Sequence, residues 1–192
     1  MATNNSTDKI LIAFVGMPGA GKSEAVAYIE KKNIPFVRFG DLTDQILKEQ
    51  GLDINPENER IYREKIRQEL GMAAYAIKAK PKIDLALQKE NVLTIDGVYS
   101  WEEYKYLKKE YPNLKLIYIF TEPEKRHSRL AVRQIRPLTK EEAEKRDYDE
   151  VEKLNKGGTI AAADYIINND SDNMQDLYRK IDELLERLGV SK

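Results

Sequence analysis

The feature that most limits this fold is an apolar run that stops at a glycine-rich turn. Ile10 to Val15 reads ILIAFV, with no polar position, and Gly16-Met17-Pro18-Gly19-Ala20-Gly21-Lys22-Ser23 follows directly. An unbroken run of this kind fits a strand covered on both faces, as in a parallel sheet. The octapeptide has the spacing G-x-x-x-x-G-K-[ST], and its residue types answer a physical need. A loop that wraps a polyphosphate with backbone N–H groups must lack side chains where it approaches closest, which Gly19 and Gly21 supply. The next helix opens at Lys22, and its positive end faces the phosphates. In that arrangement Lys22 reaches the β and γ phosphates as a point charge and the Ser23 hydroxyl ligates Mg²⁺. The expected nucleotide set is therefore Gly16, Pro18, Gly19, Ala20, Gly21, Lys22, Ser23 and Glu24, with ATP and Mg²⁺ as cofactors. A glycine-rich turn can match this spacing by chance. The buried strand before it and the helix after it are the context the motif requires.

Four more short apolar segments are read as strands: Phe36 to Phe39, Val92 to Ile95, Leu114 to Phe120 and Tyr165 to Ile167. Helical patterns separate them, and the alternation predicts an α/β fold with a parallel sheet. The expected architecture is a three-layer α/β/α sandwich around five parallel strands. Glu57 to Lys78 reads as one charged helix with Ile61, Ile66 and Leu70 on a stripe, and Pro81 as the start of another. Ser100 is the expected N-cap of a helix to Tyr111, and Thr139 with Glu142 spells a capping box. Gly157-Gly158 reads as an interruption, and Met1 to Asp8 as a frayed leader. A length of 192 residues favours one domain. Two helical regions, about 52–90 and about 126–158, exceed what simple crossovers need and are read as lobes built around the sheet.

Composition removes several function classes. The chain has no cysteine and one histidine, which excludes disulfides, thiolate zinc sites and cysteine nucleophiles, and leaves little for a Ser-His-Asp triad. Lys and Arg total 32 against 33 Asp and Glu, a net charge of -1. No general electrostatic grip on nucleic acid or an anionic membrane is expected from that balance. The polar start and the shortness of the first apolar run predict neither a signal core nor a membrane span, so the chain is read as cytoplasmic. A monomer and a homodimer both remain compatible with it.

The acid after the third strand narrows the P-loop class. ATPases of the AAA or RecA kind place two acids in a row there, whereas Val92-Leu93-Thr94-Ile95 runs into Asp96-Gly97. The Asn-Lys-x-Asp run of GTPases does not occur. The Asp-Gly ending resembles nucleoside monophosphate kinases, and the order of features is similar to dephospho-coenzyme A kinases and to uncharacterised P-loop kinases related to them. Ile12 to Glu24 (IAFVGMPGAGKSE) resembles their opening strand and loop. Ile34 to Ile46 is similar to the segment where those kinases put an acid after the second strand. Arg129-Leu130 with Arg133, then Pro137 to Arg146 (PLTKEEAEKR), resembles their lid, and Ala163 to Asn168 with Asn169-Asp170 their last strand and base-contacting loop. Gly97 to Glu103 departs from the apolar, proline- and leucine-containing stretch of dephospho-coenzyme A kinases, so the acceptor stays open.

The resemblance implies transfer of the γ-phosphate of ATP to a small phosphorylated acceptor, either dephospho-coenzyme A or a nucleoside monophosphate. It also implies an acceptor lobe at about 52–90 and a lid at about 126–158. Such transfer needs charge neutralisation and alignment more than covalent chemistry. Arg126, Arg129, Arg133 and Arg136 recur at helical spacing and are expected to share one face, with Arg129 and Arg133 the preferred catalytic pair beside Lys22. Arg133 is also a candidate for stacking on the adenine. Asp41 is expected to orient or deprotonate an acceptor hydroxyl, the competing role being a helix cap. Asp96 is expected as a water-mediated Mg²⁺ ligand or an acceptor contact. Arg60, Arg63 and Arg67 fall on one helical face, with Arg67 the preferred ligand of the acceptor phosphate and Arg60 beside it. Trp101 and the tyrosines are read as packing, and His127 carries no chemistry. The competing classes are an ATP-binding regulator without phosphotransfer and an ATPase acting on nucleic acid.

Overall fold

A computed structural model describes residues 9–190, so the leader read at Met1 to Asp8 lies outside the described residues. Five strands form one sheet: β1 (Ile10–Val15), β2 (Phe36–Arg38), β3 (Val92–Asp96), β4 (Leu114–Phe120) and β5 (Tyr165–Asn168). Their order is β2-β3-β1-β4-β5 and every pairing is parallel, so all carboxyl ends open on one edge. β1 is central, which is why its sequence has no polar face. Leu11, Ala13 and Val15 enter one core, while Ile12 and Phe14 enter the other. The first core is closed by α2 (Gly40–Glu49), α4 (Ala74–Lys89) and α5 (Trp101–Glu110); the second by α1 (Lys22–Lys31) and α9 (Met174–Arg187). This is the expected three-layer parallel fold.

The connections depart from expectation at three places. The span read as one helix is two, α3 (Pro56–Leu70) and α4, because Gly71 takes φ 75° and bonds its N–H back to the Arg67 carbonyl. Of the expected stripe only Ile66 is buried; Ile61 and Leu70 face water. The apolar face belongs instead to α4, through Ala76, Ala79, Ile83 and Leu87. Pro81 lies inside α4 rather than at its start. It stands on the exposed side, where water can satisfy the Ile77 carbonyl that proline leaves without a helical donor. Gly157 and Gly158 lie within α8 (Lys156–Ala161) and do not break it. At Gly158 the smallness is used for packing, since a Cβ there would stand 3.1 Å from the Trp101 ring. The two caps are as expected: Ser100 and Glu103 form a capping box on α5, and Thr139 and Glu142 another on α7 (Lys140–Glu152).

Candidate active site

The glycine-rich loop joins β1 to α1 at the carboxyl edge of the sheet. Gly19 and Gly21 take φ 80° and 101°, and a Cβ would meet the Arg126 carbonyl at 2.7 Å and the Asn169 amide at 2.4 Å respectively. Gly21 is the N-cap of α1 and no side chain caps the helix, so its first amides are left to a ligand. Lys22 Nζ donates to the Gly16 and Met17 carbonyls at 2.8 and 3.0 Å. Its side chain is partly accessible at the loop surface but enclosed by protein, and burial, then the charge of Lys156, lowers its pKa to about 7. Neighbours hold the loop in shape. Asn169 Nδ2 and Thr121 Oγ1 donate to the Ala20 carbonyl at 2.9 and 3.2 Å, and Arg126 donates to the Pro18 carbonyl at 3.2 Å.

A cavity of about 440 Å³ opens beside the loop, lined among others by Gly21, Lys22, Ser23, Glu24, Arg129, Arg133 and Asn169. Here the four arginines do not share one face. The helix α6 (Pro123–Val132) ends before Arg133, and each guanidinium has its own task. Arg126 is buried in a bidentate pair with Asp147 of α7, both bonds 2.8 Å. Arg129 donates to the Asn169 and Ser171 carbonyls at 2.9 and 3.0 Å, tying α6 to the loop after β5. Arg133 Nε donates to the Arg136 carbonyl. Arg136 reaches away to Glu59. His127, read as free of chemistry, joins Asp147 at 3.0 Å.

A second cavity of about 530 Å³ lies over the ends of β2 and β3, lined by Arg38, Asp41, Glu59, Arg63, Arg67, Tyr75, Tyr99, Arg136, Arg146 and Glu150 among others. Asp96, nearly buried, accepts from Arg38 Nε at 2.8 Å, and Asp41 lies 4.0 Å from the same guanidinium. Arg67 rests 5.8 Å from the centre of the Tyr75 ring, and its buried Nε has no hydrogen-bond partner. Arg60 is displaced from the expected group: it points to solvent, paired with Glu64 at 3.0 Å, while Arg63 and Arg67 line the cavity. Glu59 accepts from Arg136 at 2.8 and 3.3 Å and from Arg63 at 3.2 Å, which holds its carboxyl below the usual range. Lys156 is 1% exposed, pairs with Glu150, and lies 5.3 Å from the centre of the Tyr99 ring. Arg146 stands 3.9 Å from the other Glu150 oxygen. Lys22 lines the first cavity and is within electrostatic reach of Glu150 and Arg146, which line the second.

Arg38, Glu59, Glu150 and Lys156 were not singled out in the sequence. Arg38 had a readable signal, since it closes a strand at the ligand edge of the sheet. Lys156 had one too: it is a lone charge heading Gly-Gly-Thr-Ile-Ala-Ala-Ala. Glu59 and Glu150 sit in charge-rich helices where nothing local distinguishes them.

A family profile described as an AAA domain matches residues 12–155. A UPF0200 protein of Thermococcus sibiricus is 37% identical over 95% of this chain and 97% of its own length, and one of Thermococcus onnurineus is 36% identical over 93% and 98%. The chain belongs to the UPF0200 family. Among solved structures, TT1252 from Thermus thermophilus superposes with a TM-score of 0.68 at 16% identity, covering 94% of this chain and 98% of that one. A shikimate kinase from Bacteroides thetaiotaomicron gives 0.60 at 18% identity, covering 94% and 98%. The UPF0200 chain thus carries a nucleotide-binding domain of the P-loop kinase-like fold. The AAA description is broad, since β3 ends on the single acid Asp96 followed by Gly97, without a paired acid.

Two negatives hold for the described residues of this UPF0200 chain. No helix is long and apolar enough to cross a membrane. No group of three or more His, Asp or Glu is placed to hold a metal ion by itself.

Proposed function

We propose that this chain is an ATP-dependent phosphotransferase that moves the γ-phosphate of ATP, with Mg²⁺, to a small phosphorylated acceptor. Dephospho-coenzyme A and nucleoside monophosphates are the acceptors to try first. The observation that carries the reading is that two cavities open at the carboxyl ends of the strands, one lined by the glycine-rich loop with Lys22 and one lined by arginines. A nucleotide sensor needs the first cavity only.

The residues fit the groups. An uncapped helix start with a lysine beside it suits a phosphate chain, and Ser23 in the first turn of α1 is exposed for a metal ion. Ser23 and Asp96 would hold Mg²⁺, Asp96 through water because Arg38 already occupies one of its oxygens. When bound, the ion supplies charge neutralisation between the β and γ phosphates. Lys22 would leave the Gly16 and Met17 carbonyls for the phosphates. Asp41 stands exposed at the start of α2, able to orient an acceptor hydroxyl or take its proton. Arg67, lining the cavity on the Tyr75 ring with no carboxylate partner, would bind the acceptor phosphate. Arg146, from the region read as a lid, lines the acceptor cavity and would share the charge of the transferring group. Arg129 and Arg133 lie on the nucleotide side, with Arg129 holding the loop after β5.

ADP release is to be measured across a panel of phosphorylated acceptors. Turnover that depends on one acceptor, lost in Lys22→Ala and reduced in Asp41→Asn, is the expected result. Tight ATP binding with no acceptor-dependent turnover would leave a sensor.

A further inference from the structure

Glu59 is bound by this protein in the way a protein binds a ligand anion. It lies in the first turn of α3, and its residue is 7% exposed. Arg136 grips it with two nitrogens, Nη2 to Oε1 at 2.8 Å and Nη1 to Oε2 at 3.3 Å, and Arg63 Nη1 adds a third bond at 3.2 Å. Two guanidinium groups converging on two oxygens is the arrangement with which arginine recognises phosphate and carboxylate. Both arginines line the second cavity, and their side chains are still 40% and 51% exposed, so an incoming anion can reach them. Arg136, which makes this contact from the segment after α6, adopts φ 54°, a conformation that L side chains rarely take. One turn further along α3 than Arg63 stands Arg67, which lines the same cavity with no carboxylate partner.

We infer that Arg63 and Arg136 form an anion site for a phosphate monoester, and that Glu59 fills it as an internal stand-in until the acceptor displaces it. This rests on the phosphotransferase reading and adds to it the place of the acceptor's phosphate and the competitor it meets. A phosphate dianion competes with the carboxylate for two guanidinium groups because it brings about twice the charge and three acceptor oxygens instead of two. The released Glu59 remains near the amino end of α3, where the helix dipole favours a negative charge. Arg67, which has no carboxylate partner and rests on the Tyr75 ring, lines the same cavity and adds a third cation to the site. The displacement makes acceptor binding weaker than the bare site would give. It also ties it to the release of Arg136 from α3, so the segment after α6 moves only when an anion has arrived.

The probe is inorganic phosphate, titrated by calorimetry into wild type, Glu59→Gln and Glu59→Gln/Arg136→Gln. The glycine-rich loop takes phosphate equally in all three, so the differences report the second site. Glu59→Gln is expected to bind phosphate there at least about tenfold more tightly than wild type, a gain lost in the double variant. An unchanged or weaker affinity in Glu59→Gln, or a gain that survives without Arg136, overturns the inference. It would then mean that Glu59 only positions the two arginines. Should the variants fail to fold, wild-type crystals soaked in phosphate decide. Phosphate on Arg63 and Arg136 with Glu59 turned out supports the inference, and Glu59 still clamped at saturating phosphate refutes it. Neither experiment needs turnover, so the absence of ADP release with every acceptor would count against the phosphotransferase reading alone.

Discussion

Lys156 and Glu150 are a buried ion pair standing over Tyr99, with the lysine 1% exposed and the Glu150 side chain 10%. The pair couples α7 to the start of α8 and places one cation within electrostatic reach of the Lys22 ammonium. Removing Glu150 leaves Lys156 charged and without its ion-pair partner in a poorly solvated place, whereas Glu150 without Lys156 still has Arg146 at 3.9 Å. Glu150→Ala is expected to lower stability by about 3–5 kcal/mol in urea unfolding. Replacing both, as Lys156→Met with Glu150→Leu, should restore most of that loss, because an apolar pair needs no desolvation of charge. Equal losses in the single and double variants would show that packing, not charge, holds this corner.

Lys22 gives a pH signature of ligand binding. Burial and the Lys156 charge lower its pKa to about 7, against 10.5 for a free lysine. Above that value the unliganded protein holds it largely neutral. A phosphate chain would favour the charged form and raise the pKa again, so binding must take up a proton. Calorimetry of a non-hydrolysable ATP analogue near pH 8.5, in buffers of different ionisation enthalpy, should show an uptake of roughly one proton. The uptake should fall toward zero below about pH 6, where Lys22 is already charged, and vanish in Lys22→Met. An uptake that persists in Lys22→Met would assign the proton elsewhere.

Which parts were legible in the sequence follows from range. The strand β1 and the loop after it are local: one apolar run, two glycines, a lysine and a serine state both the burial and the ligand geometry. The capping boxes at Ser100 and Thr139 are readable for the same reason, since each is complete within four residues. Periodicity misled where it ran through a backbone turn. Glu57 to Lys78 keeps a helical rhythm across Gly71, but the positive φ there separates a solvated helix from a buried one. Spacing alone also grouped Arg126 to Arg136 on one face. Their partners are Asp147, the Asn169 carbonyl and Glu59, up to 77 residues away, and no local pattern announces them. The anion-like clamp on Glu59 is of this kind: its three members come from α3 and from the segment after α6.

Glu103 is the most costly carboxylate in the first core. It is fully buried at the start of α5, accepting from the Tyr99 and Ser100 amides at 2.7 and 3.2 Å, while its other oxygen has no partner. Burial is the dominant effect and raises its pKa to about 7, from 4.5. A raised carboxyl favours the fold while protonated. That contribution is complete below about pH 4.5 and is lost as pH rises through about 7. Glu103→Gln keeps an acceptor for both amides without the charge. It is expected to be more stable than wild type at pH 8 by up to about 3 kcal/mol, the difference closing below pH 4.5. Parallel stability–pH curves for the two proteins would place the slope on another group.

Gly21 couples the loop's backbone to its support. A side chain there would strain a residue at φ 101° and would press on the Asn169 amide, 2.4 Å from the added Cβ. That amide donates to the Ala20 carbonyl, one of the bonds that fixes the loop. Gly21→Ala is therefore expected to lose about 1–2 kcal/mol from backbone strain and about 1 kcal/mol more from the displaced hydrogen bond. Asn169→Ala removes the obstacle and the bond together, so the double variant should be less destabilised than the sum of the two singles. The same two substitutions should weaken nucleotide-analogue binding, because both disturb the amides at the start of α1. Thermal unfolding and calorimetric titration on the four proteins give both cycles. Strictly additive stability losses would show that Asn169 does not transmit the strain at Gly21.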